Sequence, residues 1–186
     1  TTQEKNGITE GVIWKQLLIF FFPILVGSFF QQLYNTVDSV IVGQFVGKEA
    51  LSSVGGSAGQ IISLVVGFFT GVSTGATVII SQYFGAGKKE EIEESLHTAY
   101  AFALVGGLVL GIAGIVFAPQ MLRWMNTPEE LIAESVLYVR VYFSGLIFIF
   151  IYNMGAAILR AVGDSKRPLY YLIVCCILNI VLDIVL

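Results

Sequence analysis

The sequence predicts an all-α integral membrane protein, and three features of its composition lead to that fold class. Of the 186 residues, 56% are hydrophobic and only 12% are charged, whereas soluble domains carry about 25% charged residues. The mean hydropathy is +0.83. Charge-free runs recur along the chain, and most of them reach the roughly 20 residues that a membrane-spanning helix needs. The net charge of −3 and the scattered basic residues exclude a nucleic-acid-binding surface.

Five transmembrane helices account for the apolar runs. They are predicted over residues 14–46, 51–84, 91–118, 131–162 and 169–186. Short polar or glycine-containing segments connect them, among them VGKEA, GAGKKEE and VGDSKRP, and such segments are typical of turns. No small-residue cleavage site follows the first apolar run, so the first helix is expected to remain uncleaved.

The basic residues predict a multi-pass protein of the cell inner (plasma) membrane with a cytoplasmic N-terminus. With that orientation, seven basic residues lie inside and three lie outside, as cytoplasmic loops prefer. The inner set is Lys5, Lys15, Lys88, Lys89, Arg160, Lys166 and Arg167, and the outer set is Lys48, Arg123 and Arg140. Trp14 and Trp124 then lie near the inner and outer membrane interfaces, where indole rings are enriched.

Small residues recur at helical spacing and predict tight helix packing. Gly67, Gly71 and Gly75 repeat every four residues in the second helix, and Gly107 and Gly111 do so in the third. Such stripes let a neighbouring helix approach the backbone. A glycine hinge is the alternative interpretation. The neighbouring cysteines, Cys175 and Cys176, cannot bridge each other comfortably within a helix and are interpreted as packing residues.

One face of the first helix is polar at membrane depth. Gln31, Asn35 and Asp38 are spaced i, i+4, i+7, which places them on one helical face. A charged aspartate at the bilayer centre costs at least about 2.5 to 3.5 kcal/mol, so such residues face a bundle interior or a water-filled cavity. Asp38 is therefore expected to face inward. The alternative is a hydrated position near the outer end of the helix.

The fifth helix repeats this pattern. Asn179 and Asp183 are spaced i, i+4, and both acid-bearing helices run from inside to outside, so their polar faces could meet in one outward-opening cavity. Two carboxylates in a low-dielectric cavity repel each other, which favours proton uptake. Asp38, Asp183, Asn179 and Asn35 are therefore the candidates for a proton or cation site. No metal site is predicted with confidence in this chain.

Other polar residues and one proline complete the candidate site. Gln31, Tyr34, Tyr152 and Asn153 are candidates for the lining of a substrate cavity, although hydrogen bonding between helices also explains Tyr152 and Asn153. Pro23 interrupts the first helix and gives it a place to bend. A static kink is an equal alternative for this residue.

Three segments resemble the start of the multidrug and toxic compound extrusion (MATE) transporters. They are PILVGSFFQQLYNTVDSVIVGQFVGKEALSSVG, GVSTGATVIISQYFGAGKKEE and AAILRAVGDSKRP, in this order, and the similarity covers the chain from about Gly11 onward. The resemblance implies a twelve-helix transporter with two six-helix lobes. Residues 1–186 would then be a five-helix portion of the N-terminal lobe, truncated in the fifth helix.

The resemblance also implies a function. Family members export organic, often cationic, compounds in exchange for protons or sodium, without a cofactor, and the C-terminal lobe of the same protein would be the partner of this chain. Asp38 matches the first-helix acid of bacterial and archaeal members, Asn179 and Asp183 match the fifth-helix polar pair of the cation site, and Pro23 matches the proline at which the first helix bends. Substrate identity and the choice of coupling ion are not implied.

Three alternatives to an antiporter differ in the residues they require. A lipid or polysaccharide-precursor flippase should line its cavity with basic residues, whereas only Arg140 is expected at the outer part of a helix, which favours cationic cargo. An enzyme would need a nucleophile or metal constellation, and the sequence has one histidine and neither HExxH nor GxSxG. A channel or a non-transporting membrane subunit would show no counterflow of substrate and protons.

Overall fold

A computed structural model describes residues 12–41, 43–44, 52 and 55–185, with side chains up to residue 182. Within these ranges the regular elements are helices, without strands. They are α1 (Ile13–Ile41), α2 (Ser57–Gly85), α3 (Lys89–Trp124), α4 (Glu129–Ser144), α5 (Leu146–Ala161) and α6 (Lys166–Val185). The expected all-α membrane fold is confirmed.

Helices α1, α2 and α3 are long and apolar enough to cross a membrane. The expected ends of the first helix at 46 and the start of the second at 51 lie outside the described residues. Helix α3 continues through Pro119 to Trp124, six residues beyond the expected end. Prolines are tolerated inside membrane helices because neighbouring groups satisfy the freed backbone carbonyls.

The expected fourth span, 131–162, is interrupted. Helices α4 and α5 meet at Gly145 with a bend of 48°, and as a pair they have the length and hydropathy of a broken span or a re-entrant loop. The backbone N–H of Gly145 donates to the carbonyl of Tyr142, three residues back. The run is charge-free across this break, so hydropathy alone predicts a single helix here, although the break falls at a Ser144–Gly145 pair, a common site of helix kinks.

Helices α2 to α5 form a four-helix group around one apolar core. The rings of Phe69 on α2 and Phe150 on α5 are buried and stack with their centroids 3.4 Å apart. Thr77 Oγ1 on α2 donates a hydrogen bond to the carbonyl of Ala157 on α5 at 3.3 Å. Aromatic stacking and an interhelical hydrogen bond thus hold α2 against α5.

Glycines of α3 make the close contacts that their spacing predicts. A Cβ at Gly107 would lie 3.0 Å from the Cα of Ile147 on α5, and one at Gly111 would lie 3.1 Å from the carbonyl oxygen of Phe143 on α4. A Cβ at Gly114 would overlap the ring of Phe143. The break at Gly145 therefore wraps the α4–α5 span closely around α3.

The corresponding prediction for α2 is wrong. Gly67, Gly71 and Gly75 are exposed, and a Cβ at any of them would meet nothing within 4 Å. A four-residue spacing places glycines on one stripe of a helix, but it does not tell which face of the bundle that stripe occupies. Here the stripe points away from the core.

Helix α1 packs mainly against α6 rather than against the four-helix group. Its buried residues are Pro23 and Gly27, and a Cβ at Gly27 would touch Leu172 of α6 at 3.4 Å. Cys176 Sγ lies 3.9 Å from the carbonyl oxygen of Phe30. Helix α6 also contacts α5, so the α1–α6 pair is attached to the group along one side.

The turn between α5 and α6 is built by two residues. Gly163 has a φ of 90°, which is a left-handed conformation that glycine adopts without strain. Asp164 Oδ1 accepts hydrogen bonds from the backbone N–H groups of Lys166 and Arg167, each at 3.1 Å, and caps the start of α6. The start of α6 consequently lies at the same end of the molecule as the last turn of α5.

Candidate functional site

A cavity of about 610 Å³, named the central cavity here, separates the α1–α6 pair from α2, α4 and α5. Its volume lies within the range of small-molecule sites, about 300 to 1,000 Å³. The polar residues of its lining are Ser28, Gln31, Tyr34, Thr70, Tyr142, Tyr152, Asn153, Arg160, Ser165 and Asn179. A mostly apolar lining with a few polar groups is typical of binding sites for small organic compounds.

The four residues proposed as cavity lining all border this space. Gln31 and Tyr34 reach it from α1, and Tyr152 and Asn153 reach it from α5. Asn153 Nδ2 donates to the carbonyl of Ile149, one turn earlier, at 2.9 Å. This bond occupies one of the two donors of the amide, so its oxygen and second N–H are left for the cavity.

Asn179 borders the same cavity from α6. Its side-chain Oδ1 is buried and has no hydrogen-bond partner among the described residues. A buried acceptor without a donor costs free energy, so such a group in a native structure calls for an unseen partner. The amide oxygen of Asn179 is consequently a position at which a cation, a protonated group or a water would be stabilised.

Asp38 lies beside the central cavity rather than in its lining. It is half-buried on α1, it takes part in a contact with another group, and it interacts electrostatically with Tyr34 and with Tyr138 of α4. Its partial burial fits a position between helices, and the inward-facing carboxylate of the sequence analysis stays a prediction.

The other two residues of the proposed ion site, Asn35 and Asp183, are not in the described lining of the cavity. Asn35 is exposed, it is absent from the described lining of the cavity, and its carbonyl accepts a hydrogen bond from Ser39 Oγ at 2.8 Å. The polar face of the first helix is thus split, with Gln31 in the cavity and Asn35 outside it. The side chain of Asp183 lies outside the described residues, although its backbone belongs to α6.

Tyrosines on α4 belong to the site and were missed in the sequence. Tyr142 borders the cavity, and its ring centroid is 6.4 Å from that of Tyr138. Tyr34 interacts electrostatically with Tyr142 and Tyr152. The signal that could have found them is the i, i+4 spacing of Tyr138 and Tyr142, which puts both rings on one face of their helix.

Arg160 is the second residue that the sequence interpretation missed. It is half-buried in the last turn of α5 and borders the central cavity, where it is the only charged residue among the described lining. Arg140 is exposed, and its Nε donates to the carbonyl of Ile115 at 3.2 Å. Arg160, which the sequence analysis placed on the cytoplasmic side, thus adds a basic group to the cavity lining at the end where α5 finishes.

Metal chemistry finds no support in the part of the chain with described side chains. No group of three or more His, Cys, Asp or Glu residues lies close enough together there to hold a metal ion. Asp38 and Asn179 carry oxygen atoms of the kind that coordinate sodium, and the carboxylate of Asp38 can also bind a proton.

The family model MatE matches residues 23–185 of the chain. The chain is also similar to a protein of Bacillus subtilis (strain 168) described as "probable multidrug resistance protein YoeA", with 33% identity over 181 residues. That alignment covers 97% of this chain and 38% of the relative. The chain thus spans about two fifths of the length of the relative that it matches.

Two solved structures share the fold closely. They are described as a MATE protein in the straight conformation and in the bent conformation, and they match this chain with TM-scores of 0.89 and 0.87. Each is 26% identical to it, and each alignment covers 98% of this chain and 40% of the solved one. The similarity therefore includes all six described helices.

Proposed function

Since the chain belongs to the MatE family, we propose that it forms the N-terminal lobe of a secondary active antiporter in a multi-pass transporter. The intact protein exports organic, often cationic, compounds in exchange for protons or sodium, and the C-terminal lobe of the same protein is the partner of this chain. The observation that carries the proposal is the central cavity, which combines apolar walls with a polar lining and lies beside the half-buried Asp38.

The cavity residues offer a binding mode for an organic cation. Tyr34, Tyr142 and Tyr152 border the cavity, and the face of an aromatic ring attracts a cation by about 0.5 to 1 kcal/mol at an exposed site and about 2 kcal/mol when desolvated. Arg160 would repel a cationic compound from the end of the cavity that it occupies. Asn153 and Arg160 are seven residues apart on α5, about 10 Å along a helix, so the favourable binding region lies toward Asn153 and Tyr34.

Protonation of an acid beside the cavity supplies the coupling step. A deprotonated Asp38 attracts a cationic substrate, whereas a protonated Asp38 is neutral and tolerates closure of the surrounding helices. Substrate and proton then exclude each other, which produces exchange. We assign Asp183, Asn179 and Asn35 to the same proton or cation site as Asp38. Na⁺ is the alternative coupling ion.

The test of this function is counterflow in vesicles that hold the intact transporter. Efflux of a fluorescent organic cation from the vesicles should require an inwardly directed gradient of protons or sodium. Equal fluxes with and without either gradient would indicate a channel and contradict antiport.

The proposed orientation in the cell inner membrane predicts a labelling result. The Lys88 side chain is 53% exposed in the turn after α2, on the side proposed to be cytoplasmic. In a background without the native cysteines, Lys88→Cys should resist an impermeant thiol reagent added to intact cells and react after lysis. Asn126→Cys, in the exposed turn after α3, is the matched control and should react in intact cells. The reverse pattern would overturn the orientation.

Pro23 is proposed as the point at which α1 bends during transport. It is buried inside α1, borders the central cavity and leaves one backbone carbonyl without its helical partner. Pro23→Ala restores that hydrogen bond, so we expect a well-folded transporter whose efflux rate falls severalfold. The measurement is the initial rate of substrate efflux, normalised to the amount of protein in the membrane.

Pro168→Ala is the matched control for this substitution. Pro168 is also buried and borders the same cavity, but it lies in the first turn of α6, where the missing N–H has no helical partner to lose. This variant should transport normally. Unchanged efflux by both variants would leave Pro23 as a static kink.

A further inference from the structure

A second cavity, of about 330 Å³, opens where α1 begins and where α2 and α5 end. We name it the terminal cavity. Leu17, Phe20 and Phe84 supply apolar wall, and Gln16, Ser81 and Arg160 supply polar groups. The volume is at the lower end of the range of small-molecule sites. Neither the proposed antiport nor the central cavity accounts for this space.

Arg160 lies in the wall between the two cavities, since it borders both. Among the described residues, its half-buried guanidinium makes no hydrogen bond or ion pair with a protein group. The position in the last turn of α5 is favourable for a cation because of the helix dipole. A dipole does not satisfy the five N–H donors of arginine, however, and a partly desolvated charge favours an anionic partner.

The surroundings determine which anion fits. This end of the molecule carries both signs of charge, since Lys15, Lys89 and Lys166 are exposed there and Glu90, Glu91 and Asp164 lie beside the last two, so the selection of an anion rests on Arg160 itself. The mouth is apolar, because Ile13 and Leu17 are 77% and 61% exposed, and Trp14 next to them is 66% exposed, as is typical of a residue at the membrane interface. The Arg160 guanidinium lies behind apolar side chains at the membrane surface. An amphiphilic anion, with a charged head group and hydrocarbon chains, therefore fits this site.

We propose that the terminal cavity binds an anionic phospholipid of the leaflet at that end of the molecule. The lipid phosphate accepts hydrogen bonds from the Arg160 guanidinium, whose planar donor fork matches phosphate oxygens. One acyl chain lies along Leu17, Phe20 and Phe84. Basic pockets between transmembrane helices on the cytoplasmic side are suited to anionic head groups. A free phosphate would leave the apolar wall without a partner.

Occupancy of this site has a consequence for the central cavity. The phosphate neutralises the only charge in the described lining of that cavity, so a bound lipid weakens the repulsion of a cationic substrate. Anionic lipid should therefore lower the KM for such a substrate. This consequence rests on the proposed function, whereas lipid binding itself does not, and a binding measurement tests the site separately.

The experiment is native mass spectrometry of the intact transporter in detergent, titrated with phosphatidylglycerol, with phosphatidylcholine, and with inorganic phosphate as a competitor. Phosphatidylglycerol should bind at least tenfold more tightly than phosphatidylcholine. Arg160→Gln should weaken phosphatidylglycerol binding at least tenfold, and Arg160→Lys should recover part of it.

Ser81→Phe should also abolish binding, because it fills the cavity and leaves Arg160 in place. The Ser81 hydroxyl bonds only its own helix, to the carbonyl of Val78 at 2.9 Å, so its loss should leave the fold intact.

Lys89→Gln is the matched control, since it removes an exposed charge at the same end but outside the cavity lining. It should leave phosphatidylglycerol binding within twofold of the unaltered protein. Equal binding by Arg160→Gln, retention of binding by Ser81→Phe, or equal loss with Lys89→Gln would each overturn the site. Complete competition by millimolar inorganic phosphate would show a free anion as the occupant and overturn the assignment to lipid.

Discussion

Asp38→Asn in the intact transporter should reduce proton-driven efflux to the background of empty vesicles, while expression and membrane insertion remain normal. Asparagine keeps the size and hydrogen bonding of the side chain but cannot titrate, so the substrate and proton no longer alternate. Asp38 interacts electrostatically with Tyr34, which borders the cavity, and with Tyr138 of α4, so loss of the charge alters the electrostatics next to the cavity. The measurement is substrate efflux from vesicles under an imposed pH gradient.

Asp183→Asn should have the same effect if both acids form one proton-linked centre. The double variant should then be no worse than either single one, as is usual for groups that act as a unit. Glu130→Gln, which neutralises an exposed acid in the first turn of α4, is the matched control and should transport at the parental rate. Parental efflux by both aspartate variants would make these acids structural and place coupling elsewhere in the protein.

Gly114→Ala should produce the largest loss of stability among single glycine substitutions in the bundle. A Cβ there would overlap the ring of Phe143, which is buried in the core at 3% exposure. Overpacking of this kind costs about 1 to 3 kcal/mol, more than the roughly 1 kcal/mol that alanine gains over glycine in a helix. The midpoint of thermal unfolding in detergent should fall accordingly.

Gly71→Ala is the matched control, because a Cβ at that position would meet nothing within 4 Å. The same chemical change in a neighbouring helix should leave the unfolding midpoint unchanged or raise it. A similar loss in both variants would indicate that the exposed stripe of α2 is covered in the intact protein. An unchanged midpoint for Gly114→Ala alone would contradict the close contact between α3 and α4.

Hydropathy was enough to predict the membrane fold and the approximate positions of the helices. It did not predict the break at Gly145, since the run from Val141 to Phe150 carries no charge, and the signal for the break is instead the Ser144–Gly145 pair, a common site of helix kinks. The glycines show the same limit. Gly107 and Gly71 have equivalent local spacing, and only the tertiary arrangement puts one at a helix contact and the other on the surface.

The candidate site was predictable where an unusual residue lay at membrane depth. Gln31, Asn153 and Asn179 are conspicuous in apolar helices, and the structure places all three around one cavity. Tyr142 was overlooked because tyrosine is common in membrane helices and carries no charge. Arg160 was overlooked because a basic residue close to a helix end fits the orientation rule as well as it fits a cavity, and sequence does not separate the two.

The pairing of α1 with α6 sets an order of events during synthesis. The contact between Phe30 and Cys176 joins residues 146 positions apart, so the ribosome needs roughly 7 to 30 s to produce the second partner at about 5 to 20 residues per second. During that interval α1 resides in the membrane without its packing partner, so Gly27 and Phe30, which contact α6 in the folded protein, lack that contact. Asn35 is exposed and Asp38 interacts with Tyr138 of α4, so these two polar groups do not depend on α6. The contact between α1 and α6 consequently forms after the four helices between them have been synthesised.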